Sequence, residues 1–425
     1  MTERRTDREL DAVLGSWMDE VSPNRAPARL LEETFARTMT SRQAGAYPWH
    51  KVARVLPRLT LGGSRAVLIV TVLALVIVAV GLALGPGGSQ LGVPPPPTSP
   101  SPTIESPSVG SSPSFAVVAS PFAPDPTLLT AEASVAVDKP IAMASDGRAL
   151  WVLTEDGRLV RIDPTTNEVS DTVALGDAQY LYNGISADAS GVWATQWSPG
   201  FVYRIDPETR AIAAKIETDI AKGVLVAEDA VWVAHTHDGT VSRIDPATNK
   251  VVATITVGPT GTSGPNWLAS GLGSIWVGIP NALTVVRIDP VTNAVQASIP
   301  IPSTATACGG IAVGIDAVWM PSCDGSDWLT RIDPTSNSVA AIINMGGRGF
   351  LPVIIDGVPW LSVDRGADPA SILRIDPGTN QFDRVLSPGD GFRGGGDMVV
   401  AAGSTWIVDG ASNRVLRLPL SAFAP

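Results

Sequence analysis

The sequence predicts an all-β fold, a seven-bladed β-propeller of four-stranded blades, and three observations lead there. The tetrapeptide Arg-Ile-Asp-Pro stands at Arg161, Arg204, Arg243, Arg287, Arg331 and Arg374, in steps of 43, 39, 44, 44 and 43 residues, and a degraded copy, Arg417-Leu-Pro-Leu, follows 43 residues later. Ahead of each Arg, by 10 to 14 residues, stands a tryptophan: Trp151, Trp193, Trp232, Trp276, Trp319, Trp360 and Trp406. A period near 43 belongs to propeller blades or helical solenoids. Alternating apolar and polar residues between Gly, Pro and Asn breaks select strands.

One repeat shows how a blade is written. Gly223–Ala227, Ala230–Ala234, Thr240–Asp245 and Lys250–Val257 read as four strands. Asp238-Gly239 makes a tight turn between the second and third. Asp245-Pro-Ala-Thr-Asn249 turns the third into the fourth: Pro246 presets φ, the Asp245 carboxylate accepts from turn amides, and Asn249 tolerates the left-handed conformation. A feature required in every blade is architecture. Asp163, Asp206, Asp245, Asp289, Asp333 and Asp376 are therefore expected to build turns, and the seven tryptophans to pack between blades.

Closure is also legible. The last repeat holds only three strands, at Met398–Ala402, Thr405–Val408 and Arg414–Leu418, while a surplus strand, Thr130–Val137, precedes the first tryptophan. That strand is expected to complete the seventh blade and remove an open edge.

The remainder divides by composition. Residues 66–85 read as a single transmembrane helix, uncharged and apolar apart from Thr71, Gly81 and the closing glycine. Residues 1–65 hold 11 Lys or Arg, and Gly85 to Asp138 hold none, which places the N-terminus in the cytoplasm and the propeller outside. Residues 86–128, with 12 prolines among Ser, Gly and Thr, read as a disordered linker, and 129–425 as the propeller. In the cytoplasmic segment, Leu10, Val13, Leu14, Trp17, Met18 and Val21 form one helical stripe and Leu30, Leu31, Thr34, Phe35 and Thr38 a second. These two short helices pair with each other or dock on a protein partner.

The tail carries +3 (11 basic, 8 acidic), which leaves 19 basic and 33 acidic residues, a charge of −14, over 66–425. An acidic outer domain argues against nucleic acid and anionic lipid as partners. Cys308 and Cys323, the only cysteines, flank the first two strands of the fifth blade symmetrically about their turn. An oxidising compartment would let them form a disulfide.

Arg-Ile-Asp-Pro-x-Thr-Asn, following Gly-x-x-Trp-Val and a strand ending Ile-x-Val-Gly, resembles the YVTN-type repeat and the streptogramin (virginiamycin B) lyase-like propellers. The resemblance covers 130–420. It implies a propeller and, for the lyases, ester opening by elimination with Mg²⁺ and a His/Glu set near the axis. Here the lead-ins to first strands read Asp138-Lys-Pro-Ile, Gly264-Pro-Asn-Trp and Cys308-Gly-Gly-Ile, and no Glu-x-His occurs in the propeller. No catalytic residue carries over, so no cofactor is expected unless that activity holds, and no metal site is assigned.

His235 and His237 are the only candidate bases. As alternate residues at the end of a strand beside Asp238 they would point the same way, with no third ligand identifiable. The other reading is a polar strand end with two solvated histidines. Gly394-Gly-Gly396 lacks a following helix and binds no phosphate by the nucleotide-loop logic.

Loops leading into first strands and loops joining second to third strands emerge on one face. The non-repeating aromatics fall there: Tyr180, Tyr182, Trp197, Trp267, Trp328, Phe350 and Phe392, with His235, His237, Arg348 and Arg393. They bind a ligand or cover the ends of blades. Three functions are compatible: a membrane-anchored extracytoplasmic module that binds or senses a small molecule, saccharide or protein; a lyase or hydrolase; and a transmembrane regulator of anti-sigma-like topology. The zinc-type His-x-x-x-Cys-x-x-Cys pattern of that last class is absent from 1–65.

Overall fold

The computed structural model describes residues 115–118 and 125–424, apart from 177–181, 199, 262–263, 307, 323–325, 367–368, 390 and 394–395. Contacts divide the chain into 1–105 and 106–425, and only the second unit holds described residues. The expected cytoplasmic helices, the transmembrane helix over 66–85 and most of the linker lie outside them. Among the described residues no helix is long and apolar enough to cross a membrane.

The chain forms seven sheets, each a meander of antiparallel strands whose first strand faces the axis. Blade three is representative: Ala221–Ala227, Ala230–His235, Thr240–Asp245 and Lys250–Thr256. First strands of successive blades touch around the ring, and the seventh touches the first. Blade seven is closed by Ala133–Ala136, which pairs antiparallel with Arg414–Arg417. First and last segments of the propeller thus share one sheet, and no edge opens there.

Each tryptophan is at most 1% exposed and packs against the next blade. Trp232 lies with Ile275 and Val277 of blade four, Trp276 with Val318 and Ile332 of blade five, and Trp406 with Val152 and Val160 of blade one. The core is therefore a ring of seven interfaces, each built on one indole. Truncating such a ring costs about 3–5 kcal/mol.

The repeated Arg and Asn form a clasp between blades. Arg287 stacks 5.1 Å from the centre of Trp276 and donates from Nη1 to Pro334 O (2.9 Å) and Asn337 Oδ1 (3.2 Å) in the next blade. Arg204, Arg243 and Arg331 reach Asn249, Asn293 and Asn380 likewise, and Arg417 crosses the closure to Asn167. The asparagines can serve because the turn holds them at φ between 51 and 59°, a conformation this side chain tolerates. Across each turn, the Asp accepts from the amide two residues on, or from a neighbouring amide. Hydroxyl bonds from Thr165 and Thr248 for Asp163 and Asp245, and the amide bonds for the other four, hold all six carboxyls below the usual range.

Two interfaces lack the clasp. The turn of blade two carries Arg210 where the others carry Asn, so Arg161 donates to Ser170 of its own blade instead (2.7 Å). A cavity of about 120 Å³ opens there, lined by Asp146, Arg148, Arg161, Glu208 and Arg210. Blade seven has no third–fourth turn, because its fourth strand is Ala133–Ala136, and Arg374 pairs with Asp383. There the chain end substitutes: Phe423 is 1% exposed and meets Trp360 edge-on at 4.9 Å.

One departure from the sequence reading concerns the linker. Its last residues are not a free tether: Ala116–Val118 pairs in parallel with Ala341–Ile343 on the outer rim of blade five, and Thr127–Leu129 with Leu386–Pro388 on that of blade six. Edge strands offer unpaired amides and carbonyls to any extended segment, so three apolar residues suffice where the edge supplies the ladder.

Candidate functional site

The antiparallel meander puts first–second and third–fourth connections on one face, here the turn face. Second–third connections and links between blades lie on the other, the loop face. Those of the residues expected to bind ligand that the structure describes belong to the loop face, but the fold does not use them alike. Phe392 is wholly buried with Trp360 and Ile407 and has no free surface. Trp267 and Trp328 pack on the interface between blades four and five, and Trp267 Nε1 donates to Cys308 O at 3.1 Å. These three cover the ends of blades. Trp197 is 36% exposed, and Arg348, stacked 5.2 Å from the Phe350 ring, and Arg393 are exposed. Tyr180 and the side chain of Tyr182 lie outside the described residues.

The histidines also part. His235 ends the second strand of blade three and is 3% exposed, its Nε2 2.8 Å from Ser242 Oγ. His237 stands two residues on, in the turn, with its side chain 58% exposed. The expected shared direction fails because the strand ends between them. Burial pushes His235 below the ordinary imidazole range, opposed by the Asp219 main chain and carboxylate. Matching places in other blades explain part of this. Gln196 accepts from Tyr203 (2.8 Å), Ser322 donates to Trp328 O (2.8 Å) and Asp409 pairs with Arg414 (2.9 Å), so a buried polar residue closes several hairpins. His235 differs in one atom. Its Nδ1 is buried with no hydrogen-bond partner.

Around it three loops converge. Thr236 donates its amide to Ile220 O and its hydroxyl to Pro265 O, and Gly264 N returns a bond to Thr236 O. A Cβ at Gly264 would stand 2.2 Å from Thr236 O, and one at Gly200, in the loop of Trp197, 2.2 Å from Asp219 O. Glycine lets these backbones touch. The packing brings Asp219, His237 and Asp238 together, with one ligating atom from each within 4.8 Å of the others. His237 Nδ1 is 3.5 Å from Asp238 Oδ1. The Asp219 carboxyl, hydrogen-bonded by that of Asp238, is lowered, and Asp238 is raised by the same partner. Two carboxyls this close hold one proton between them more readily than two negative charges.

Asp219 is absent from the residues singled out in the sequence. Its signal was the 39-residue step, the shortest in the chain, which leaves three residues between Glu217 and Ala221 and so draws the loop across to the histidine turn. Two further charged groups lie half-buried at first strands: desolvation lowers Lys222 and pushes Asp397 up to about 7. Cys308 is 8% exposed and disulfide-bonded; Cys323, its expected partner, lies outside the described residues.

No family description matches the chain, and no curated protein matches its sequence. Solved structures match its shape. A chain of a mitotic checkpoint complex is 11% identical at a TM-score of 0.57, covering 78% of this chain and 99% of that one. Hydrazine synthase of Kuenenia stuttgartiensis is 13% identical at 0.54, over 67% and 96%. Dihydro-heme d1 dehydrogenase NirN in complex with DHE is 17% identical at 0.50, over 67% of each. Such identities establish the seven-bladed propeller and nothing finer; the YVTN-type and lyase-like resemblance gains no support from them. The fold is compatible with a binding or protein-interaction module.

Proposed function

We propose that this chain is a membrane-anchored extracytoplasmic binding or sensing module, and that its ligand meets the loop face at blades two and three. The observation that carries the reading is the loss of repetition there: the shortest step, a buried histidine with a free nitrogen, and a carboxylate–imidazole cluster converge beside exposed Trp197. Conformity to the repeat is architecture, and departures from local rules gather at functional sites. Anchoring rests on the uncharged stretch 66–85 and the basic residues before it. The segment 1–65 stays a candidate dock for a cytoplasmic protein.

Mass spectrometry of molecules retained by the 106–425 fragment from a native extract tests the reading, with Trp197→Ala and Arg348→Ala as loop-face variants. A ligand retained by the parent and lost from the Trp197 variant supports it. Equal retention by parent and both variants sinks it. A reporter active only outside the membrane, fused after Pro425, should work, and activity of a cytoplasmic reporter in its place would reverse the topology.

A further inference from the structure

We propose that the cavity between blades one and two, on the turn face, binds a small organic carboxylate that takes the place of the missing asparagine. The cavity measures about 120 Å³, and Arg161 is among its lining residues. Arg161 is the clasp arginine of blade one. Its guanidinium stands 6.0 Å from the centre of Trp151, against 5.1 to 5.4 Å in the five complete clasps. Its Nη1 turns back to Ser170 (2.7 Å), and its Nε is buried with no hydrogen-bond partner among the described residues. Elsewhere a serine two residues before the tryptophan accepts that Nε, as Ser274 does from Arg287 and Ser404 from Arg417, both at 2.8 Å. Blade one has Ala149 at that place.

The other charges around the cavity are matched. Arg148 Nη1 pairs with Glu208 Oε1 and Arg210 Nε with Asp171 Oδ2, both at 2.8 Å. Asp146 accepts from the amides of Arg148 and Ala149 and from Trp151 Nε1, at 2.7 to 2.8 Å. Among the described residues, Arg161 is the cavity's guanidinium that no carboxylate engages. A buried donor without an acceptor costs free energy, and an occupant that supplies the acceptor removes that cost. A carboxylate fits: its two coplanar oxygens accept a parallel pair of guanidinium N–H bonds, and its one charge meets the one unmatched positive charge. A phosphate dianion would bring a second charge against Asp146 and Glu208. The volume lies well under the roughly 300 Å³ where drug-sized pockets begin, so it admits a group of acetate size and excludes sugars and nucleotides.

The sequence breaks its own rule to make this space. Arg210 sits at φ 61°, where the other turns place Asn at 51 to 59°. Arginine has no side-chain acceptor and suits that conformation less well than Asn. Breaks in a local rule gather at functional sites. A carboxylate held there would bridge blade one to blade two as Asn337 bridges blades four and five, so its binding would stabilise the ring.

The site lies on the face opposite Trp197 and does not rest on the loop-face reading. Full-length protein in chloride buffer of constant ionic strength is titrated calorimetrically with acetate, succinate and inorganic phosphate, and melted with and without each. One equivalent of carboxylate should bind saturably and raise the melting temperature. Arg161→Lys keeps the charge but loses the fork, and should weaken binding at least tenfold. Arg210→Asn supplies the acceptor from the chain itself. It should bind no carboxylate yet melt no lower than the ligand-free parent, which separates loss of the site from loss of the fold. Lys250→Ala, exposed on the outer strand of blade three, is the control and should bind as the parent does. No saturable binding of either carboxylate up to about 10 mM, ten times a millimolar dissociation constant, overturns the site. So does equal affinity in the parent and Arg161→Lys, or undiminished binding by Arg210→Asn. Phosphate bound more tightly than both carboxylates overturns the ligand class.

Discussion

On the turn face, five of seven blade interfaces repeat one device: an arginine stacked on its own tryptophan and bonded to the next blade's asparagine. On the loop face, matching places three residues after the tryptophans hold Thr154, Gln196, His235, Ser322 and Asp409, each with a different partner. The contrast separates what closes the ring from what varies upon it. The clasp recurs because each interface presents the same buried indole to the next blade. Loops need only span a distance, which leaves their side chains free for other work.

The largest effect should come from opening the ring. A chain beginning at Pro140 leaves blade seven with three strands, and it should aggregate or melt far below the 106–425 fragment. Equal melting temperatures would show that Ala133–Ala136 carries no closure. Next, Trp276→Ala should cost about 3–5 kcal/mol by denaturant unfolding, against less than about 0.5 for Trp197→Ala. A large loss from the second would mean that the loop face too is framework.

Asp397 sharpens the contrast through pH. Its folded carboxyl titrates at about 7, above an unfolded value near 3.9. The native state thus holds the extra proton between those values, so this group lowers stability as pH rises from about 4 to 7 and no further above. Asp397→Asn should erase that slope, a gain on the order of a few kcal/mol at pH 8, at about 1.4 kcal/mol per pKa unit, and almost nothing at pH 4. An unchanged slope would place the titration elsewhere. The repeated turn aspartates act oppositely. Their lowered values give stability that is present above about 4 and is lost as acid protonates them.

The smallest effects test the clasp itself. Arg287→Ala should cost about 1–3 kcal/mol, and Arg161→Ala less, since Arg161 has no asparagine to lose. Arg210→Asn should supply the missing acceptor at a φ of 61° and raise stability by about 0.5–1.5 kcal/mol. A loss there would mean that the cavity beneath Arg210 is kept for a purpose other than packing.

Much of this was legible in the sequence, for a physical reason. Trp276 and Arg287 recur at fixed spacing because each interface solves one local problem, and Thr130–Val137 reads as a strand by its own alternation. Ala116–Val118 and Thr127–Leu129 could not be read so. Three residues have no period, and their partners lie more than 200 positions away on edges that only the folded ring presents. Asp219 escaped because a lone carboxylate in a three-residue loop gains meaning only when His237 is folded against it. Phe392 misled, as being outside the repeat does not put a ring at the surface.

The rim strands have a mechanical consequence. Thr127–Leu129 and Ala116–Val118 run parallel to the outer strands they join, and Ala133–Ala136 runs antiparallel to the third strand of blade seven. Tension applied at residue 106 along that direction loads these ladders in shear, so their hydrogen bonds must fail together rather than unzip one at a time. Blade five takes the load first, then blade six, and the closing strand last. The propeller is held by its leading segment as a parcel is held by a strap passed over two edges before the knot.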